Sequence, residues 1–553
     1  MSVATEPGVA DVRADSPALA PKDAAAPELS AVAAWLLALA AVLPYWLPYV
    51  LHFSRGPVAT GYLYYDMPYY AANGRAAFER GDGFVGPNPF DADPEAPAIY
   101  FQWFIWLLGA GVVKAGFDPG IWFLTLGAAA GLICSRTTLA LVRQVLPTPA
   151  FIVPLFLLVM WGGGLLALAR FGTNLGAGRP LFDDPLLYDP SDGEWSLYWG
   201  RTLIYPTEAV YHALTAAAWL ALLRGRNLQA AGWGAALAAT HPFSGAQLLG
   251  VLGGWWLVRG ARGERGGAWM REGALIGVMT ATFLGYYFIY LERFSQHRQL
   301  KAAWAFDWSA SPVSQALAYL VPLMLALRAR ANWGRTGCLW VAAAVSLALS
   351  NHGLLFAPRQ PLHFTRGYVW APLLLIGLPA LQARLVAPGS LLRAALLTAG
   401  LVLAPLDNFV FLGWSQTRVA KNEFILTPDE WNALAFLQDA GERGVLASQN
   451  SRLGYLAATY TSARPLIGHE HNTPDWARRA SQVNAWFRHV GPAPWLEQVD
   501  LVLLTRATFS RRSASLGLVA PAWTVRHENP SFVIVARTGK APADVRGEGP
   551  QGW

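Results

Sequence analysis

The feature that most constrains this chain is where its arginines fall between its apolar runs. Runs of about 20 apolar residues, the length that crosses a bilayer core as a helix, recur through the first three quarters of the 553 residues. The short connections among them carry Arg136 and Arg143; Arg224 and Arg226; Arg259, Arg262, Arg265 and Arg271; Arg328, Arg330 and Arg335; Arg384 and Arg393. Only Glu264 and Glu272 oppose these charges. Basic loops are retained on the cytoplasmic side of a membrane, so all of them are assigned there. With 54% hydrophobic and 14% charged residues, the chain holds more all-round apolar helices than a water-soluble fold can cover. The formal charge of +7 sits largely in those loops, so it reads as a topology signal and no nucleic-acid partner is expected.

The apolar runs are 31–53, 119–142, 149–170, 205–224, 228–240, 243–259, 272–291, 313–328, 336–351, 367–384 and 391–413. If the connection after 142 is cytoplasmic, residue 118 is outside; if the N-terminus is inside, residue 54 is outside as well. The stretch 98–116, PAIYFQWFIWLLGAGVVKAGF with its flanks, then lies along the outer surface, where Tyr and Trp favour the headgroup region. The alternative is an ordinary span with the N-terminus outside. The reading predicts a mainly α, polytopic membrane protein of about eleven spans, N-terminus cytoplasmic and C-terminus outside. The short runs 228–240 and 313–328, and the break at Thr240-His241-Pro242, point to helices lining a water-filled cavity that opens outward.

The expected organisation is a disordered cytoplasmic tail (1–29), a transmembrane domain (30–414) with long outer loops at 54–118 and 171–204, a small extracytoplasmic α/β domain (415–540) and a flexible tail (541–553). In the α/β domain, Thr427, Pro428 and Glu430 form a helix-start signature with a capping box, and Thr473-Pro474-Asp475 opens a second helix. GVLAS and 499–505 read as buried strands, and 522–537 as a hairpin turning at Asn529-Pro530. Cys134 and Cys338 both fall in apolar runs, so no disulfide framework is expected.

Charged groups at a membrane surface are costly and mark candidate sites. The first outer loop reads GYLYYDMPYYAANGRAAFERGDG, with Asp66 among Tyr62, Tyr64, Tyr65, Tyr69 and Tyr70. An Asp in that aromatic setting can serve as a general base or hold an acceptor group; equally, followed by Met67-Pro68, it can simply cap a helix. Asp91, Asp93 and Glu95 could offer oxygen ligands to a divalent cation, but their Pro-rich setting favours a solvated turn. No metal ligand set is assigned. In the second outer loop, Asp183 and Asp184 read as an exposed acidic turn that can assist substrate binding beside a cavity. The loop NHGLLFAPRQPLHFTRG (351–367) supplies His352, Arg359, His363 and Arg366. Arg359 or Arg366 can give a phosphate two hydrogen bonds at once, with His363 alongside; snorkelling at the headgroups is the alternative for Arg366. His241, at the helix break, is a pocket candidate together with Tyr65, Tyr69 and His352.

The layout resembles the GT-C class of integral-membrane glycosyltransferases. YYDMPYYAANGRAAFERG followed by PAIYFQWFIWLLGAGVVKAGFDPGIWF is similar to the first-loop region of lipid-phosphosugar enzymes, where an acidic residue opens the loop and a Pro-led apolar segment follows the membrane. SRLGYLAATYTSARPLIGHEHNTPDWARR resembles outer domains of uncharacterised bacterial members. The resemblance implies transfer of a sugar from a polyprenyl-phosphate donor to an acceptor at the outer face of the bacterial cytoplasmic membrane. Asp66 then takes the place of the loop-opening catalytic acid, and Arg359 or Arg366 neutralises the leaving phosphate. The family often pairs two acids, whereas Asp66 stands alone in Tyr-Asp-Met, which leaves a divalent cation optional. The competing readings are a transporter or flippase of lipid-linked sugars, or a non-catalytic cell-envelope assembly protein.

Overall fold

The computed structural model describes residues 29–56, 58–329, 333–387, 389–419, 424–488 and 493–539. The two expected tails lie outside the described residues, apart from residue 29, as does Arg330. The first helix, α1 (Ala31–Ser54), begins where Ser30 accepts the Ala33 amide. The segment that follows contains α2 (Met67–Glu79) and α3 (Trp103–Gly109), the latter continuing as a π-helix to Lys114. Helix α4 (Pro119–Val145) starts at Asp118, whose carboxylate caps Ile121. Next come α5 (Ile152–Trp161), α6 (Leu166–Gly176) and α7 (Pro206–Leu223).

The expectation of about eleven spans is not met. Among the described residues four helices are long and apolar enough to cross a membrane: Ala31–Ser54, Pro119–Val145, Gly267–Arg293 and Leu391–Val419. A fifth arises if α5 and α6, bent by 64°, count as one span. The other apolar runs fold into shorter or more polar helices. Asn227–Ala238 has 12 residues, about 18 Å at 1.5 Å per residue, well short of a core of about 30 Å. Helix α7 places Thr207, Glu208 and His212 in its first two turns and buries all three. The α3 segment through Lys114 also has too few residues to span.

The α5–α6 break has a tertiary cause. Gly162, Gly163 and Gly164 interrupt the run, and the freed amides are taken up at a distance. Asp407 accepts from Gly164 and Tyr198 through Oδ2 (2.8 and 2.5 Å) and from Ala167 through Oδ1 (2.9 Å), capping α6 from outside its own sequence. Beside it the fully buried Arg201 donates to Asn408 Oδ1 at 2.9 Å, to the Asp407 carbonyl at 2.6 Å and to the Asp189 carboxylate. A buried guanidinium so completely bonded fixes geometry more than it adds stability.

Helices α2 and α3 cross in backbone contact. A Cβ on Gly74 would lie 2.6 Å from the Gly109 nitrogen, and one on Gly109 2.2 Å from the Gly74 oxygen, so only glycine fits at the crossing.

The C-terminal region is built on strands. Val58–Ala59 (β1) pairs antiparallel with Ile425–Leu426 (β2), stitching the segment before α2 to the start of the region. Val445–Ser448 (β3), Arg464–Pro465 (β4), Leu501–Thr505 (β5), Trp523–Glu528 (β6) and Phe532–Arg537 (β7) make one sheet in the order β4-β3-β5-β7-β6. The pairs β3–β4 and β3–β5 are parallel; β5–β7 and β6–β7 are antiparallel. The Thr427–Glu430 capping box forms at the head of Pro428–Asp439. The second helix, Trp476–Phe487, starts differently: Asp475 sits at φ 53° with no side-chain cap bond.

Candidate active site

Asp66 immediately precedes α2, at the N-cap position, but its side chain makes no cap bond to the helix. The carboxylate turns instead to the C-terminal region, where Oδ1 accepts from His469 Nε2 at 2.8 Å. The opposite ring nitrogen fixes the tautomer. His469 Nδ1 accepts the backbone N–H of His471 at 3.2 Å and faces the Asn472 amide at 3.0 Å, so the imidazole proton is on Nε2. His469 is therefore a neutral donor. It is almost fully buried, whereas 58% of the Asp66 side chain is exposed.

The start of α2 is clamped onto the helix Ser451–Tyr460. The Tyr455 hydroxyl donates to the Tyr65 carbonyl at 2.6 Å and accepts the Tyr69 amide at 3.0 Å; Thr459 Oγ1 donates to the Pro68 carbonyl at 3.0 Å. The Tyr65 hydroxyl accepts the Glu470 amide at 2.9 Å, and the Tyr65 and Tyr69 rings lie 4.8 and 5.3 Å from the His469 ring. Burial pushes the Tyr69 phenol up to about 12, with the Asp66 charge adding to the rise, so it stays protonated. Burial, and then the Asp66 charge, also holds the Tyr455 phenol well above its ordinary value.

Hydrogen bonds carry this corner to the loop 351–367. Trp304 Nε1 donates to the His471 carbonyl at 3.0 Å, and Gln360 Nε2 donates to the Trp304 carbonyl at 3.1 Å. Arg359 is exposed, and no carboxylate among the described residues pairs with it. His352 braces its backbone: Nδ1 donates to the Leu349 carbonyl at 2.6 Å and Nε2 accepts the Arg359 amide at 2.9 Å. His352 is thus a loop staple.

Arg366 lies deeper. It is 2% exposed, sits at φ 27° in the left-handed region, and its guanidinium pairs with Glu208 at 2.8 Å. It also donates to His363 Nδ1, and His363 Nε2 donates to Gln360 Oε1 at 2.6 Å. Burial holds the His363 imidazolium well below the ordinary histidine range, with the Arg366 charge adding to the fall. Strain of this kind persists only where neighbours over-determine it; here the Arg366 carbonyl accepts from His212 Nε2 at 2.7 Å. His241 caps the helix Pro242–Ala261, accepting the Ser244 amide at 3.2 Å, and its ring lies 5.5 Å from that of His363.

A line of rings joins the two groups: Tyr64 on Tyr205 (5.5 Å), Tyr205 by Trp195 (5.6 Å), Trp195 by Trp308 (6.2 Å), and Trp308 by His363 (5.1 Å). The Arg366 guanidinium sits 5.5 Å over Trp195. Asp66, Tyr65, Tyr69, Arg359, His363, Arg366 and His241 thus belong to one connected assembly. Asp183 and Asp184 sit elsewhere, around Arg170 at 3.9 Å each, at α6. Asp91 and Asp93 form successive turns, accepting the Asp93 and Glu95 amides. Among the described residues no group of three or more His, Cys, Asp or Glu side chains is placed to hold a metal ion.

Sequence reasoning missed His469, Tyr455 and Glu208. The signal for His469 was visible in Gly468-His469-Glu470-His471-Asn472, two histidines in a five-residue run. Glu208 had no local signal beyond a carboxylate at the start of an apolar helix.

No family model matches the chain, and no curated protein matches it. Among solved structures, the chain is similar to ArnT from Cupriavidus metallidurans in the apo state, with 12% identity over 92% of this chain and 98% of that one, at a TM-score of 0.45. It is similar also to the oligosaccharyltransferase AglB from Archaeoglobus fulgidus, in complex with an inhibitory peptide and a dolichol-phosphate, with 12% identity over 92% of this chain and 75% of that one, at a TM-score of 0.43. A second Archaeoglobus fulgidus oligosaccharyltransferase structure, tethered to an acceptor peptide, matches with 11% identity over 86% of this chain and 69% of that one, at a TM-score of 0.48.

Proposed function

We propose that the chain is a membrane glycosyltransferase of the GT-C type, moving a sugar from a polyprenyl-phosphate donor to an acceptor at the outer face of the bacterial cytoplasmic membrane. In this reading the N-terminus is cytoplasmic and the C-terminal region extracytoplasmic. The observation that carries it is the disposition of Asp66. Its carboxylate forgoes the helix amides beside it, is aimed by a neutral buried histidine, and leaves most of its surface open to an incoming molecule.

Asp66 is the general base. It takes the proton of the acceptor hydroxyl or amide as that atom attacks the anomeric carbon. The new bond to carbon forms, the bond from carbon to phosphate oxygen breaks, and the phosphate leaves with the electron pair. His469 is a positioning residue, since its Nε2–H holds the carboxylate in one orientation. Arg359 meets the developing phosphate charge with paired N–H groups. Arg366, already balanced by Glu208, and His363 hold the loop beneath it through Gln360. Tyr65 and Tyr69, beside the carboxylate and not fully buried, supply aromatic faces against which a sugar ring can lie.

The test is transfer in membranes supplied with a labelled polyprenyl-phosphate sugar. Asp66→Asn keeps the shape and removes the base, and its rate is expected to fall by about 100-fold or more. Full transfer by that variant overturns the assignment.

A further inference from the structure

The C-terminal region contains a hollow of about 410 Å³ that shares no lining residue with the Asp66 assembly. It opens where the parallel strands β3 and β5 end, the place where ligands collect in sheets with parallel strands. Gln449 follows β3; Thr508, Arg511 and Arg512 come from the helix Arg506–Arg512 that follows β5; Asn484 and Arg488 come from the end of Trp476–Phe487.

Its lining chemistry is one-sided. Three guanidinium groups line it and no carboxylate does. Arg506, on the same helix but outside the hollow, is paired with Glu528 at 3.0 Å, whereas no carboxylate among the described residues pairs with Arg488, Arg511 or Arg512. Arg512 spends one N–H on the Phe487 carbonyl at 3.0 Å, which holds the two helices together across the hollow. The Thr508 hydroxyl accepts twice, from Gln449 Nε2 at 3.0 Å and from Thr505 Oγ1 at 2.9 Å. Its own proton is therefore directed to a further acceptor. These arginines are exposed and, among the described residues, free of a paired carboxylate, and their planar guanidinium forks suit phosphate or carboxylate oxygens. The volume is that of a small-molecule site and exceeds what a bare oxyanion fills.

We propose that this hollow binds a sugar-sized molecule carrying a phosphate or carboxylate group. The charged group sits among Arg488, Arg511 and the Thr508 hydroxyl, and the Asn484 amide meets the sugar hydroxyls. The site does not rest on the transferase reading: it is a binding site on the C-terminal region whatever Asp66 does.

The experiment is calorimetric titration of the full chain in an uncharged detergent with glucose 6-phosphate, with glucose as the neutral control. Saturable binding of glucose 6-phosphate and none of glucose is expected. Arg488→Ala/Arg511→Ala together are expected to weaken it by at least tenfold, and Thr508→Val by several-fold, at unchanged melting temperature. Absent binding in the parent protein, or unchanged affinity in the double variant, overturns the proposal. Should the double variant fail to fold, Thr508→Val alone decides it, and unchanged affinity there counts against. Repeating the titration with phosphatidylglycerol in the micelle separates the sources of phosphate: unchanged affinity supports a soluble sugar ligand, and competitive loss assigns the hollow to a lipid headgroup and overturns the saccharide.

Discussion

His469 Nε2 donates to Asp66 Oδ1 across 2.8 Å, joining residues 403 positions apart in the chain. The bond explains why an Asp at the N-cap position of α2 does not cap. The backbone at His471 takes the other ring nitrogen, so the histidine can only donate, and the carboxylate gains a fixed direction without a neutralising charge.

Loss of this donor is expected to reduce kcat more than it alters KM. His469→Ala frees the Asp66 carboxylate to rotate, and a fall of about tenfold in kcat follows from a loss of orientation of about 1.4 kcal/mol. His469→Gln, which retains an N–H donor, is expected to recover part of it. Steady-state transfer kinetics on folded protein check this through the split between kcat and KM, because a purely structural role would change the amount of folded protein and leave kcat per folded molecule in place.

Arg359→Ala is expected to weaken donor binding. A charge-assisted hydrogen bond is worth about 1.5–3 kcal/mol, which corresponds to roughly a ten- to hundredfold rise in the dissociation constant of the polyprenyl phosphate. Arg359→Lys restores the charge without the planar fork and is expected to fall between. Binding of a fluorescent polyprenyl phosphate to the purified protein measures it, and equal affinity in all three proteins contradicts the role.

Gly74→Ala is expected to destabilise the crossing of α2 with α3. Its Cβ would meet the Gly109 nitrogen at 2.6 Å and the Ile105 carbonyl at 2.9 Å, both backbone atoms that cannot swing aside. Overpacking of this kind costs about 1–3 kcal/mol, and the measurement is the thermal midpoint in detergent.

The buried His363 gives stability a pH dependence of defined sign. Its folded-state value lies well below the ordinary one, because burial, and then the Arg366 charge, disfavour the imidazolium. The unfolded chain protonates this histidine near pH 6.5 while the folded chain does not. Below that pH the unfolded state binds the extra proton, so stability falls as pH drops below about 6.5 and is unaffected above it. Melting curves from pH 8 to 5 are expected to show a shallower decline for His363→Asn than for the parent protein.

How much of this was legible in the sequence depends on where each feature is decided. Helices α1 and α4 were readable because length and hydropathy suffice for them, and the Thr427–Glu430 cap because it is local. The number of spans was not readable. The same apolar run yields one helix or two according to whether Gly162–Gly164 is relieved by Asp407, and Asp407 lies more than 240 positions away. The loop 351–367 announced its cations, but the division between an exposed Arg359 and a buried Arg366 depends on Glu208 in α7. Asp66 was visible as a candidate, while its partner His469 belongs to a region whose contact with the start of α2 no periodicity encodes.

The most direct measurement is a cryo-electron structure of the protein with a bound polyprenyl phosphate. The account predicts the phosphate against the Arg359 guanidinium, with the Asp66 carboxylate, still held by His469, turned towards it on the side where the sugar would sit. A lipid phosphate bound away from both residues, or an Asp66 carboxylate turned back onto the amides of α2, would contradict it.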